Sequence, residues 1–275
     1  MAGWFRNRWA LIVSLALAVL APFAVACGNG GDEAPEELVI PHSVIEALDN
    51  YAFTTDLDIS SAQGDLQASF DGVFEAPDKF QGKLRTSGQL ALGFGRPAET
   101  EVIAIGDRVW WREPNGAWQP GIRPDELGEG SIDPFLLFSM FATPRFYLES
   151  LDFDSLRLST SGSVETLNGM RAYPVRLDKA ALIGMLDQGT FTKEAGKDVS
   201  IVREDAKAFL PEDIIIETWI AEDGRYPVRL VVTLSSDESD GFSFFFEKPL
   251  DIRLQMDITD PDADVEIEPP EEGGS

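Results

Sequence analysis

Apolar and polar residues alternate along most of the chain between residues 52 and 258, and this period predicts half-buried β-strands. Short Gly-, Asn- and Asp-containing turns separate the alternating segments, which is typical of antiparallel hairpins. The predicted strands are Ala52–Ile59, Leu66–Val73, Phe80–Leu92, Glu101–Ile105, Val109–Arg112, Leu156–Ser159, Ser163–Leu167, Ala172–Leu177, Ile214–Ile220, Val228–Leu234, Phe242–Phe246 and Leu250–Ile258.

Four shorter segments follow a helical pattern instead. They are Ser43–Tyr51, Asp133–Phe141, Pro144–Leu151 and Lys179–Leu186. In the second of them, Asp133 is placed as an N-cap and Pro134 as the first helical residue. The residues that follow are apolar on nearly every side, so this helix is expected to be fully buried or to line a cavity. Together the elements predict an α+β fold.

The N-terminus has the pattern of a targeting segment. Arg6 and Arg8 precede an apolar run from Trp9 to Leu20, and Pro22 and small residues follow. Residues 1–26 are therefore interpreted as a signal peptide. Without cleavage, the apolar run would approach the length of a membrane span. The basic residues would then keep the N-terminus in the cytoplasm, and the rest of the chain would still be exported across the membrane.

Cys27, the only cysteine, cannot form an internal disulfide. The sequence Phe23-Ala-Val-Ala-Cys27 resembles a bacterial lipobox, with Ala24 where leucine is usual. That resemblance implies a diacylglycerol anchor on Cys27 and a protein held on the outer face of the cytoplasmic membrane. An ordinary cleavage site that happens to lie beside a cysteine is the alternative.

Composition divides the chain after the signal peptide into three parts. Residues 27–40 are predicted to be the lipidated cysteine and a flexible acidic tether, residues 41–267 a single domain, and residues 268–275 a disordered acidic tail. Within the domain, residues 188–210 form a charged insertion without a clear pattern.

The formal net charge of −26 indicates a soluble, self-repelling chain, and we expect a monomer. No basic patch is present to neutralise phosphates, so nucleic acid is excluded as a partner.

The sequence offers little for catalysis. His42 is the only histidine and lies at the edge of the tether, and no Gly-x-Ser-x-Gly motif is present. We therefore expect no enzyme activity, no catalytic residues and no cofactor. A catalytic pair of carboxylates is the alternative that so acidic a chain leaves open.

A metal site is not expected either. Asp260, Asp262 and Asp264 have calcium-loop spacing with Glu271, but Val265 replaces the required turn glycine. The segment is interpreted as a solvated acidic terminus.

Several passages between residues 44 and 267 resemble the LppX/LprAFG and LolA/LolB-like lipoproteins of bacterial envelopes. They are Tyr51–Leu57, Gly72–Lys79, Ile103–Trp110 continuing to Gly116–Trp118, Leu167–Val175 and Trp219–Arg229. These short motifs specify turns and strands, and in this family no catalytic residue exists to carry over.

The resemblance implies a strongly curved antiparallel sheet, a half-open barrel, wrapped over a few short apolar helices and enclosing a cavity. An acylated lipid or glycolipid is then the expected ligand, and transport across the envelope the expected role. The residues expected to line the cavity are Phe80, Leu90, Ile103, Val109, Leu137, Phe138 and Phe141. Trp110, Trp111 and Trp118 add aromatic surface nearby. The alternative is an extracytoplasmic sensor or protein-interaction module with the same fold and a filled core.

Overall fold

The computed structural model describes residues 37–41, 49–88, 99–106, 108–120, 155–187, 211, 213–222, 227–237, 247–261 and 263–270. Thirteen strands and one helix lie within these ranges. The strands are β1 (Glu37–Pro41), β2 (Asn50–Ser61), β3 (Gly64–Glu75), β4 (Lys79–Ser87), β5 (Glu99–Ile105), β6 (Arg108–Arg112), β7 (Gln119–Pro120), β8 (Ser155–Ser159), β9 (Glu165–Leu167), β10 (Met170–Asp178), β11 (Asp213–Ala221), β12 (Pro227–Ser236) and β13 (Leu250–Asp260). The helix, α1, is Lys179–Asp187. No helix in these ranges has the length and apolar character needed to cross a bilayer.

Eleven of the described strands form one antiparallel sheet, in the order β7-β6-β5-β4-β3-β2-β13-β12-β11-β10-β9. Each strand pairs with its neighbours in sequence except at the centre, where β2 pairs with β13. Among the described strands β7 and β9 are the ends of the sheet and do not pair with each other, so the sheet is not closed into a barrel.

The remaining two strands, β1 and β8, form a small antiparallel pair. Glu37 lies opposite Ser159, and Pro41 lies opposite Ser155. A single bridge between Thr160 and Val175 connects the end of β8 to β10. This pair is therefore attached to the large sheet close to its β9 end.

Alternation along the strands gives the sheet two different faces. In β2, every second residue from Tyr51 to Ile59 is buried, whereas Asp56, Asp58 and Ser60 are exposed. Directly paired residues of antiparallel strands lie on the same face, so the registers extend this division from strand to strand. The apolar face includes Tyr51, Phe53, Leu57, Ile59, Leu66, Phe70, Phe74, Phe80, Leu84, Val102, Ile216, Leu230, Val232, Leu234, Ile252, Leu254, Met256 and Ile258. The polar face includes Asp56, Asp58, Asp71, Arg85, Glu101, Arg112, Glu217, Arg229, Arg253 and Asp257.

The antiparallel strands predicted from alternation are confirmed wherever the structure describes them, as is the helix that begins at Lys179. The predicted helix Ser43–Tyr51 is wrong at its end, because Asn50 and Tyr51 begin β2. The side chain of Tyr51 is buried there and stacks on Phe74, with ring centroids 4.9 Å apart.

The predicted tether is also too long. Glu37–Pro41 form β1 instead of the end of a flexible segment, because the apolar residues of this stretch have a partner in β8. Regular structure is therefore present from Glu37, within the segment predicted as the tether.

Other predictions lie outside the described residues. They are the signal peptide, Cys27, the helices Asp133–Phe141 and Pro144–Leu151, the insertion 188–210 and the strand Phe242–Phe246.

Candidate functional site

The apolar face is the candidate site, and two of the predicted lining residues lie on it together. The registers place Phe80 of β4 opposite Ala104 of β5, and Ala104 opposite Val109 of β6. Phe80 and Ala104 are buried, whereas Val109 is half-buried. The next row of the same face ends in Trp111, which lies opposite Val102 and is also half-buried. The apolar face therefore retains accessible surface at its β6 end.

Ile103 does not belong to this set. It lies opposite Gln81 of β4 and Trp110 of β6, on the polar face of the sheet. Its side chain is 5% exposed, so it packs against this face instead of pointing toward Phe80 and Val109. The two-residue turn between Ile105 and Arg108 sets the pairing, and it gives Ile103 and Val109 opposite orientations.

The other predicted lining residues, Leu90, Leu137, Phe138 and Phe141, lie outside the described residues.

An aromatic cluster that the sequence reasoning missed occupies the middle of the apolar face. Phe53 and Phe70 stack with ring centroids 5.6 Å apart, and Phe70 meets the edge of Phe80 at 6.0 Å. Tyr51 joins the cluster through Phe74 and Phe53. These five side chains are 0–3% exposed, so this part of the face is closely packed. The strict alternation of β2 and β3 was the signal that could have identified them.

Two glycines make room for this cluster. Gly72 and Gly82 lie directly opposite each other on the apolar face, and the ring of Phe70 covers both. A Cβ atom added at Gly82 would lie 2.7 Å from Cζ of Phe70, and one added at Gly72 would lie 2.8 Å from the carbonyl oxygen of Gln81. Glycine is therefore required at both positions for the ring to lie flat on the sheet.

Buried hydroxyl groups interrupt the apolar face, among them those of Thr55, Thr100 and Thr218. Thr55 of β2 is 1% exposed and lies between Met256 of β13 and Phe70 of β3. Its hydroxyl has no hydrogen-bond partner among the described residues. Thr218, another buried threonine on this face, donates instead to the carbonyl oxygen of Arg229 at 3.1 Å.

The polar face is held by ion pairs between neighbouring strands. Arg112 and Glu101 are 2.5 Å apart, Arg229 and Asp257 are 2.6 Å apart, and Arg85 contacts Asp71. Such pairs contribute little individually at an exposed surface, about 0–1 kcal/mol each. Their role is to fix the register that aligns the apolar face behind them.

A groove of about 470 Å³ crosses four strands of the polar face. One wall is the row Thr233, Arg253, Asp58 and Gln67, and the other is the row Ser235, Asp251, Ser60 and Asp65. Hydrogen bonds join neighbouring residues within each wall: Gln67 donates to Asp58 at 3.2 Å in the first, and Ser60 donates to Asp65 at 2.8 Å in the second. Because these polar groups are already paired, the groove is a weaker candidate than the apolar face.

Within the described ranges no group of three or more His, Cys, Asp or Glu side chains could hold a metal ion. Asp260 and Asp264 of the calcium-like spacing are exposed, and Asp262 and Glu271 lie outside those ranges.

Neither a family model nor a curated protein matches the chain. Among solved structures, LprF from Mycobacterium bovis matches with a TM-score of 0.38 and 10% identity, over 87% of this chain and 99% of that one. The MucA/MucB complex from Pseudomonas aeruginosa gives 0.28 and 10%, over 80% of this chain and 53% of that one. A candidate outer membrane lipoprotein-sorting protein domain from Vibrio parahaemolyticus gives 0.25 and 8%, over 82% and 94%. All three TM-scores lie below 0.5, so the function is argued from this chain's own residues.

Proposed function

We propose that the protein is an exported, membrane-anchored lipoprotein that binds acylated lipids against the apolar face of its sheet. One observation carries the proposal: a continuous apolar face spans an open sheet and stays half-exposed at Val109 and Trp111. An acyl chain that covers this surface gains about 25 cal/mol for each Å² of apolar area removed from water. The anchor on Cys27 keeps the domain next to the membrane from which the lipid comes.

A second candidate is a sensor or protein-interaction module with a filled core. The observation that favours it is the burial of the aromatic cluster, whose five members are 0–3% exposed. On this reading the apolar face is only the hydrophobic core, and Trp111 is its edge.

Neighbouring tryptophans of β6 separate the two candidates. Trp110 and Trp111 are both half-buried, but Trp111 lies on the apolar face and Trp110 on the polar face. The variant Trp111→Ala is expected to weaken binding of a fluorescent diacyl phospholipid about tenfold, the loss of roughly 1.4 kcal/mol of apolar contact. The matched control Trp110→Ala is expected to change the affinity by less than about twofold.

The assay is a fluorescence titration of the full chain, after lipid analysis of the purified protein. Co-purified acyl lipid in near-stoichiometric amount, lost in Trp111→Ala and kept in Trp110→Ala, supports the proposal. A wild-type chain that neither co-purifies with nor takes up phospholipid, fatty acid or glycolipid rejects it and leaves the filled-core module.

A further inference from the structure

The polar face changes its charge toward the β6 end of the sheet. Strands β4, β5 and β6 contain five Lys and Arg residues and two Glu residues, a local charge of +3, whereas the whole chain carries −26. All seven of these side chains lie on the polar face. Three of the cations are already engaged, because Lys79, Arg85 and Arg112 form ion pairs with acidic residues of β3 and β5.

Lys83 and Arg108 are the two cations that remain. Both side chains are exposed, and neither has an ion-pair partner within the part of the chain that the structure describes. The registers place Lys83 on β4 and Arg108 on β6 at opposite corners of the same patch, about 17 Å apart from the usual strand spacing and rise. Two cations at this separation cannot hold one small anion together, but both can contact an extended anionic surface.

Tryptophan side chains accompany these cations. Trp110 lies on the polar face two residues after Arg108 and is half-buried. Trp118 is also half-buried, and the guanidinium of Arg112 lies 4.4 Å from the centroid of its ring. Tryptophan is enriched at the boundary between lipid headgroups and acyl chains, and Lys and Arg are attracted to anionic headgroups.

We propose that the polar face of β4–β6 is a docking surface for a bilayer that contains anionic phospholipid. Lys83 and Arg108 contact the headgroups, and Trp110 and Trp118 lie at the interface. The inference rests on the anchor of the proposed function and deepens it, since it assigns the side that the tethered domain turns toward the membrane.

The anchor makes a weak docking surface sufficient. Ten residues connect Cys27 to the start of β1, so an anchored domain is held near the bilayer and the surface has only to orient it. Each Lys or Arg beside an anionic surface favours the contact about fivefold, whereas the acidic remainder of the domain is repelled. This difference in charge selects the β4–β6 side.

Docking in this orientation brings strand β6 to the bilayer. The opposite side of the same strand carries Val109 and Trp111, the half-exposed end of the apolar face. A lipid that leaves the bilayer thus meets this end of the sheet first. The docking surface is therefore expected to affect the rate at which lipid is taken up from a membrane, and not the affinity for it.

The test uses the full lipoprotein, purified from a bacterial host and reconstituted into two kinds of vesicle. One contains equal parts of phosphatidylglycerol and phosphatidylcholine, and the other contains phosphatidylcholine alone. Both hold the anchor, but only the first is anionic. Acetylation of exposed lysines by a water-soluble reagent is followed by mass spectrometry, with Lys179 at the start of α1, beyond β10, as the internal reference. On the anionic vesicles, acetylation of Lys83 relative to Lys179 is expected to slow by at least about fivefold.

Arg108→Gln and Arg253→Gln are a matched pair of variants. Each removes one exposed positive charge from the polar face, but Arg253 lies on β13, outside the docking surface. Arg108→Gln is expected to reduce the protection of Lys83 about fivefold, and Arg253→Gln is expected to change it by less than about twofold.

Equal acetylation of Lys83 on the two kinds of vesicle, or equal effects of the two variants, overturns the docking surface and leaves the proposed function standing. A wild-type protein that floats with neither kind of vesicle contradicts the anchor and overturns both.

Discussion

The carboxyl group of Asp56 shows how one residue of the polar face responds to its neighbours. Partial burial raises the pKa of Asp56, and the charges of Asp58, Asp71 and Asp257 raise it further, while Arg253 acts in the opposite direction. When folding raises the pKa of a carboxyl group, ionisation of that group lowers the free energy of unfolding. That cost is absent below the unfolded pKa, grows as pH rises from the unfolded to the folded pKa, and is constant above the folded pKa.

The variant Asp56→Asn is therefore expected to stabilise the protein at pH 7 and to have no effect below the ordinary Asp pKa of 3.8. The gain at pH 7 is expected to stay below about 1 kcal/mol, because the side chain is exposed and screened by solvent. Urea unfolding of both proteins at the two pH values measures it. A variant less stable than the wild type at pH 7 contradicts the expectation.

Single residues also show what the sequence could predict about the site. Phe80 and Val109 were expected on one face, and they lie there because each is paired with Ala104, one through the β4–β5 register and the other through the β5–β6 turn. The same turn places Ile103 on the face opposite to Val109. The prediction was wrong for Ile103 because it relied on the apolar character of the side chain and not on the pairing. The contact of Phe70 with Gly72 and Gly82 was beyond sequence reasoning, because it depends on the pairing of β3 with β4.

Among the elements, α1 was predicted correctly because its start is encoded locally. Asp178, the last residue of β10, accepts a hydrogen bond from the backbone amide of Ala181 at 2.9 Å. A side-chain oxygen that bonds the amide three residues later is an N-cap, and it satisfies one donor that the first helical turn leaves free.

Replacement of this cap by alanine, Asp178→Ala, is expected to lower the free energy of unfolding by about 1 kcal/mol. Asp178→Asn retains a side-chain acceptor and is expected to keep most of the stability. Urea unfolding monitored by circular dichroism measures both variants. Equal losses in the two variants would show that the charge of Asp178, and not its capping bond, is what matters.

The strand β1 was missed for the opposite reason, because nothing local specifies it. Its five residues are too few for a clear period, and acidic residues precede them. Its partner β8 lies more than a hundred positions further along the chain, so pairing alone gives this segment its conformation. The end of the domain has a similar long-range contact: the amide of Ile267 donates to Glu75 at 2.5 Å.

At the scale of the whole molecule, the position of β1 limits where the domain sits relative to a membrane. Cys27 precedes Glu37 by ten residues, and a fully extended chain of that length spans at most about 36 Å. A domain anchored through Cys27, as we propose, thus stays close to the lipid surface, although the acidic chain repels anionic headgroups.

The variant Cys27→Ser is expected to move the protein from the membrane fraction to the soluble fraction of a bacterial host, because it removes the thiol on which the proposed acyl anchor is built. Fractionation and mass spectrometry of the N-terminal peptide measure the change. A wild-type peptide without added diacylglycerol contradicts the anchor, whatever the fraction in which the protein is found.

The sheet-rich architecture was predictable because alternation is a local signal that recurs in strand after strand. The order of the strands was not, since the decisive pairing of β2 with β13 joins the two ends of the domain. All the other neighbours in the large sheet are consecutive strands, whereas no pattern in β2 or β13 identifies the other as its partner.

That central pairing has a consequence for how the chain is made. During synthesis β2 emerges early and β13 almost last, so the edge of β2 that pairs with β13 has no partner until the domain is nearly complete. Unpaired edges of this kind promote aggregation, and contacts between distant segments form slowly. The pairing of β13 therefore removes this unpaired edge only at the end of synthesis of the domain.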